Sequence, residues 1–196
     1  MYNLNDASFD AKAGVAIFND GVAGIVENVT LSISKKKPED KENAPDYKVI
    51  FKDAKGAECA TSLWYVTKDT QYSTVDEQVK KQGTLLKHII HAIYGADFQI
   101  PISAQNPQQL LDQAMKIIRD GVPNAGKLRM FANYGSTQSI KQYIQPRSWV
   151  PFVESMNVDI AATRLKAGNI DAMARIQKDE PTSVAANAND LLTDEW

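Results

Sequence analysis

Alternation of apolar and polar side chains opens the readable part of the chain. From Val22 to Ser34 the residues favour strands, and Val29, Leu31 and Ile33 alternate with Thr30, Ser32 and Ser34. A period of two predicts a strand with one buried face. Tyr47, Val49 and Phe51 alternate in the same way with Lys48, Ile50 and Lys52. Asp53-Ala54-Lys55-Gly56 is a tight turn signal, after which a third strand is predicted over Ala57–Val66. These three strands form an antiparallel meander. Between the first two lies KKKPEDKENAPD, residues 35–46, whose charges and two prolines predict an exposed, mobile loop.

The period then changes. Thr74-Val75-Asp76-Glu77 fits a capping box, with the threonine hydroxyl placed to accept from the Glu77 backbone. Leu86, Ile89, Ile90 and Ile93 make a helical stripe that Gly95 ends as an αL stop. Asn106 caps a second helix and Pro107 suits its first position. Its apolar face is Leu110, Leu111, Ala114, Met115 and Ile118, before Gly121. Strand pattern resumes over Lys127–Tyr134, with Leu128, Met130 and Ala132 on one face, and over Tyr143–Glu154, with Ile144, Val150 and Phe152 on one face. Residues 157–178 predict a weaker helix (Ile160, Leu165, Ile170, Met173, Ile176), bent or broken at Gly168.

Three strands, a helical insert and two strands predict a mainly β, α+β fold. The expected architecture is a five-stranded OB-like barrel with helices between strands three and four and a C-terminal tail. A β-sandwich with a helical excursion is the alternative. The chain divides into an N-terminal arm (1–20), the OB-fold domain (21–156), the C-terminal helix (157–178) and an acidic flexible tail (179–196).

Composition narrows the class. The 196 residues are 43% hydrophobic and 23% charged, ordinary for a folded domain and against wholesale disorder. No run of 18 apolar residues predicts a membrane span, and the polar, acidic start MYNLNDASFDAK does not read as a signal peptide. Cys59 is alone, so no disulfide framework or zinc cluster is expected. An intracellular, cytoplasmic protein follows, in the host cytoplasm if viral. The net charge is −2, yet 179–196 hold Asp179, Glu180, Asp190, Asp194 and Glu195 with no lysine or arginine. Setting those five acids aside leaves 22 basic against 19 acidic side chains, a body of +3. A basic-leaning body with an acidic tail points to a polyanionic ligand and a tail that competes with it, or to a merely solvated terminus.

The outward faces carry the candidate chemistry. Opposite the core would stand Lys48 and Lys52 on the second strand, Trp64 on the third, Lys127, Arg129, Phe131 and Asn133 on the fourth, and Tyr143, Arg147 and Trp149 on the last. Cations neutralise phosphates while exposed rings stack on unpaired bases, at about 1–3 kcal/mol per base. Any single ring could instead cap the end of a core, and a slip of one residue would turn Phe131 and Trp149 inward. OB-folds bind chiefly on strands two and three and the flanking loops, which favours Trp64, Lys48 and Lys52. Lys35, Lys36, Lys37 and Lys41 occupy one flanking loop, although Glu39, Asp40, Glu42 and Asp46 nearly cancel them. Lys141 lies in the other, 135–142.

The segments VENVTLSISKKKPEDKENAPDYKVIF, KLRMFANYG, YIQPRSWVPFVE and the terminus NDLLTDEW together make the chain resemble phage-type single-stranded DNA-binding proteins. The resemblance covers about residues 20–155 plus the tail and rests on architecture. It implies sequence-independent single-stranded DNA binding in replication or recombination. It further implies a tail that occludes the basic groove and docks replication or recombination proteins through Leu191, Leu192, Asp194, Glu195 and Trp196. Five acids are sparse for such a tail. A homo-oligomer is compatible with this reading. The rivals are a virion or assembly structural protein with a β-barrel core, and an RNA-binding or adaptor module of the same fold.

Catalytic chemistry finds no support. No phosphate-binding, dinucleotide or nucleophile-elbow motif occurs. Glu27, Asp69 and Glu154 fall in no acid–base pattern, and Cys59 reads as a buried, inert thiol. His88 and His91, three apart and opposite the helical stripe, read as solvent-exposed rather than metal-binding. No enzyme activity, cofactor or metal is expected.

Overall fold

The computed structural model describes residues 24–134, 142–143 and 151–165. In chain order these form β1 (Gly24–Lys35), β2 (Tyr47–Lys52), β3 (Glu58–Leu63), α1 (Val75–Tyr94), α2 (Pro107–Gly121), β4 (Leu128–Tyr134), β5 (Gln142–Tyr143) and β6 (Val153–Ser155). The result is a mixed α/β domain with an antiparallel sheet ordered β3-β2-β1-β4-β5 and two helices. β6 also pairs with β4.

β1 serves two neighbours because it is broken by a bulge. Thr30–Lys35 pair with β2, whereas Gly24–Val29 pair with β4, and the register shifts between Val26 and Val29. Asn28 supplies the irregularity at φ 60, a left-handed conformation that asparagine tolerates better than most residues. Val26 and Val29 therefore both point inward, three residues apart, beside Leu31. Strict alternation holds on β2, where Tyr47, Val49 and Phe51 are buried and Lys48 and Lys52 exposed. A turn built on Asp53 Oδ1, which accepts from the Lys55 and Ala57 N–H groups at 2.9 Å, leads into β3.

Both helices start at side-chain caps. Thr74 and Glu77 form a reciprocal capping box on α1, and Asp69 Oδ1 takes the Val75 N–H at 2.7 Å. Asn106 caps α2 through the Gln109 N–H at 2.9 Å, with Pro107 at its first turn. Gly95 ends α1 at φ 99 and ψ 158, a positive φ but not the αL turn that was expected. Leu86, Ile89 and Ile90 of α1 and Leu111, Met115 and Ile118 of α2 are fully buried in one core with Val29, Val49, Phe51, Leu128 and Met130.

Three further expectations need correction. The 35–46 loop is exposed but internally organised. Asp46 O accepts the Lys36 N–H at 2.9 Å, turns close at Lys37–Asp40 and Lys41–Ala44, and Asp40 Oδ2 accepts the Lys37 N–H at 2.8 Å. Its acids bond backbone as well as solvating the loop. Of the last predicted strand, Tyr143–Glu154, the described residues form two short pieces that pair with β4: Asn133 pairs with Tyr143 and Met130 with Val153. Ile144 and Val150 lie outside the described residues. Finally, the first part of the predicted 157–178 helix is a 3-10 turn at Ile160–Ala162, capped by Asp159 Oδ1, and no α-helix occurs between 157 and 165. The remainder of that helix, the 1–20 arm and the 179–196 tail lie outside the described residues.

Candidate nucleic-acid interface

The side of β1–β2–β3 turned away from the core is a surface of small polar residues punctuated by cations. Cross-strand register fixes its rows: Ser34, Lys48 and Ser62; Ser32, Ile50 and Ala60; Thr30, Lys52 and Glu58. Ser32, Ser34, Lys48, Lys52 and Ala60 are exposed and Ile50 half-buried. Short side chains leave the sheet backbone accessible, so an extended ligand can lie close to it. Lys48 projects from the middle strand and lines, with Lys35, Lys36 and Lys37 but also Glu39 and Asp40, a cavity of about 330 Å³ at the mouth of the 35–46 loop.

Trp64 follows β3 directly, and 50% of it is exposed. Its carbonyl accepts from Gln82 Nε2 of α1 at 3.0 Å, which fixes the backbone at the point where the indole leaves the sheet. A large ring half in solvent on a fixed backbone can stack on a planar partner with little ordering cost. Tyr65, its neighbour, turns the other way: Tyr65 and Tyr47 both donate their hydroxyls to Asp112 Oδ1 of α2, at 2.8 and 2.6 Å. Burial, and then the hydrogen bond to Asp112, raise both phenol pKa values above the ordinary range. This knot ties the sheet edge to α2.

Not every cation is free. Lys52 pairs with Glu58 at 2.8 Å, both partly exposed. Lys35 Nζ sits 5.3 Å from the Tyr47 ring centroid, Lys36 Nζ donates to Glu42 O at 2.6 Å, and exposed Lys37 lies 3.9 Å from Glu39. These surface contacts are weak and exchangeable against a phosphate.

Arg129 does not belong to this surface. It is 4% exposed, and its guanidinium is held by Glu27 of β1 at 3.1 Å and Glu154 of β6 at 3.0 Å. The alternation that points Arg129 away from the main core is observed, but β6 and the chain to Leu165 cover that side. Arg129 is a structural cation between two carboxylates, and Glu27 and Glu154 are thereby paired through it. Phe131 is half-buried, its N–H donating to Phe152 O at 2.8 Å. Lys127 is exposed and directly precedes the Val29–Leu128 pair, next to the row containing Thr30 and Lys52. Tyr143 pairs through its backbone in β5. Lys141, Arg147, Trp149 and the tail residues Leu191, Leu192, Asp194, Glu195 and Trp196 lie outside the described residues.

The histidines are also placed differently from expectation. His88 and His91 are half-buried, and the His88 ring packs edge-on to Phe152 at 6.2 Å. Desolvation lowers both pKa values from the usual 6.5, helped at His88 by His91 and at His91 by Lys87. The ring of Phe152, far along the chain, packs against His88, and no local pattern announces it. Ser32, Ser34 and Ser62 join this face without a chemical signature of their own in the sequence, although they share the alternation that exposes Lys48. Among the described residues no group of three His, Cys, Asp or Glu side chains could hold a metal. Nor is any helix there long and apolar enough to cross a membrane. Comparison with protein-family models, with curated proteins and with solved structures finds no match.

Proposed function

We propose that the protein binds single-stranded DNA without sequence preference, along the outward face of β1–β2–β3. The observation that carries this reading is the face itself: Lys48 between two serines, the cavity beside it lined by four lysines against two acids, and half-exposed Trp64 at its edge. A single strand offers two things to hold, phosphates and unstacked bases, and this face offers ammonium groups for the first and an indole for the second. The strand order supports an OB-like barrel, since Cα atoms of β5 come within 8 Å of β3, the opposite end of the sheet path. In that setting β2, β3 and the 35–46 loop lie where such barrels take nucleic acid.

The acidic, tryptophan-ended terminus is assigned two jobs in replication or recombination, competing with DNA and recruiting partner proteins in the cytoplasm. Titration into labelled oligo-dT and a matching duplex at two salt concentrations tests the central reading. Tight single-strand binding that weakens with salt, and much weaker duplex binding, are expected. Failure to bind either, with residues 179–196 deleted, would overturn it in favour of a self-assembling structural protein. Deleting 179–196 is expected to raise DNA affinity at low salt, and unchanged affinity would refute the competing tail.

A further inference from the structure

A cavity of about 530 Å³ opens between the C-terminal half of α1 and the chain from Pro151 to Arg164. That size suits a small organic ligand. Lys87, His88 and His91 line it from α1, and Arg164 comes from the opposite wall. His88 Nδ1 is buried without a hydrogen-bond partner among the described residues. Ala92, Val153 and Val158 supply apolar lining.

The negative side of the balance is small. Glu154 also lines the cavity, but its oxygens already accept from Arg129 Nη1 at 3.0 Å, Thr163 Oγ1 at 2.5 Å and the Arg164 N–H at 3.2 Å. Asp97 and the Phe98 backbone act on His91 alone. The C-terminal end of α1 contributes about half a negative charge, and its His91 carbonyl is capped by the Gly95 N–H. Two permanent cations and two imidazoles therefore dominate a pocket whose carboxylate is spent.

We propose that this cavity holds the phosphate group of a small organic phosphomonoester, with Lys87 and Arg164 as fixed cations and His88 and His91 as donors. Desolvation first, and then the neighbouring cations, hold both imidazole pKa values below the usual 6.5, so both rings are neutral near pH 7. A bound dianion opposes that shift and raises both histidine pKa values, so binding of an anion that stays doubly charged is coupled to proton uptake and tightens as pH falls, whereas a phosphomonoester begins to lose its own second charge at about pH 6.

The chain contains two histidines, so their ring C–H signals are readily followed by NMR. The probes are AMP and adenosine, added to the full chain at constant ionic strength. AMP is expected to move both signals saturably and to raise their titration midpoints by about one pH unit, whereas adenosine is expected to do neither. K87Q and R164Q alter exposed side chains, and each is expected to weaken AMP by about tenfold. Sulfate, dianionic throughout, is expected to bind more tightly at pH 5.5 than at pH 8. Absence of a saturable AMP shift, equal shifts with adenosine, or undiminished AMP affinity in the K87Q/R164Q chain would overturn the proposal. Oligo-dT affinity of that same chain is expected to be unchanged, which separates this pocket from the sheet face. Its loss would make the cavity part of the DNA path and overturn a separate site.

Discussion

Arg129 stands between a half-exposed and a buried carboxylate, and the consequences of removing it are asymmetric. Arg129→Met leaves Glu154 buried without its cation and is expected to cost about 3–5 kcal/mol in urea unfolding. Adding Glu154→Gln should recover part of that loss, because the stranded charge is gone. A loss no larger than for an ordinary surface arginine would mean that Arg129 is solvated in solution. Cys59 gives a second test at this scale. Burial first, and the nearby Asp53 charge second, push its thiol up to about 12, so no thiolate forms near neutrality. Labelling by a disulfide reagent at pH 8 should therefore follow opening of the fold and become fast only in denaturant. The inert thiol was legible from its place in a strand of apolar alternation. The role of Arg129 was not, because its partners sit 102 and 25 residues away and alternation says only which way a side chain leaves the strand.

Elements were legible where their signals are local. The Thr74 and Asn106 caps and the apolar stripes of both helices are read within a few residues, as is the β2 alternation. The bulge in β1 was not, since Val26 and Val29 satisfy no single period, and Asn28 reveals itself only by its backbone angle. How the helices pack rests on contacts no window contains. Gly121 at the end of α2 is one: a β-carbon there would lie 2.6 Å from Ile93 Cγ2 and from the Tyr94 hydroxyl. Tyr94 is held in place, stacked on Phe98 at 4.4 Å and donating to Ile117 O at 3.0 Å. Gly121→Ala is thus expected to destabilise by about 1–3 kcal/mol although alanine is the better helix former. A gain in melting temperature would show that the tyrosine moves aside freely. Asp112→Ala severs the other tie, leaving a buried and a half-buried phenol without their shared acceptor, and should cost about 1–3 kcal/mol in the same assay.

At the scale of the whole molecule, one side of the sheet makes the core, no other described element covers the opposite side along β1–β2–β3, and pH and salt probe the two differently. His88 and His91 have folded pKa values below the ordinary 6.5. The unfolded chain therefore binds more protons, and stability is full above pH 6.5 and declines as pH falls from there toward the folded values. His88→Phe should flatten that decline, read as the melting temperature at pH 7.5 and pH 5. The DNA binding proposed for the outer face is tested by salt. For a single strand the logarithm of affinity falls with the logarithm of salt by about 0.7 for each phosphate neutralised. Lys48→Gln removes an exposed ammonium without disturbing the core and is expected to reduce that slope by about 0.7. Lys52→Gln is expected to change it less, because Lys52 already shares its charge with Glu58 at 2.8 Å. Trp64→Ala should weaken binding by about 1–3 kcal/mol while leaving the slope unchanged, since stacking releases no counterion. If Lys48→Gln weakened binding without altering the slope, Lys48 would be acting through the fold and the sheet face would not be the path of the strand.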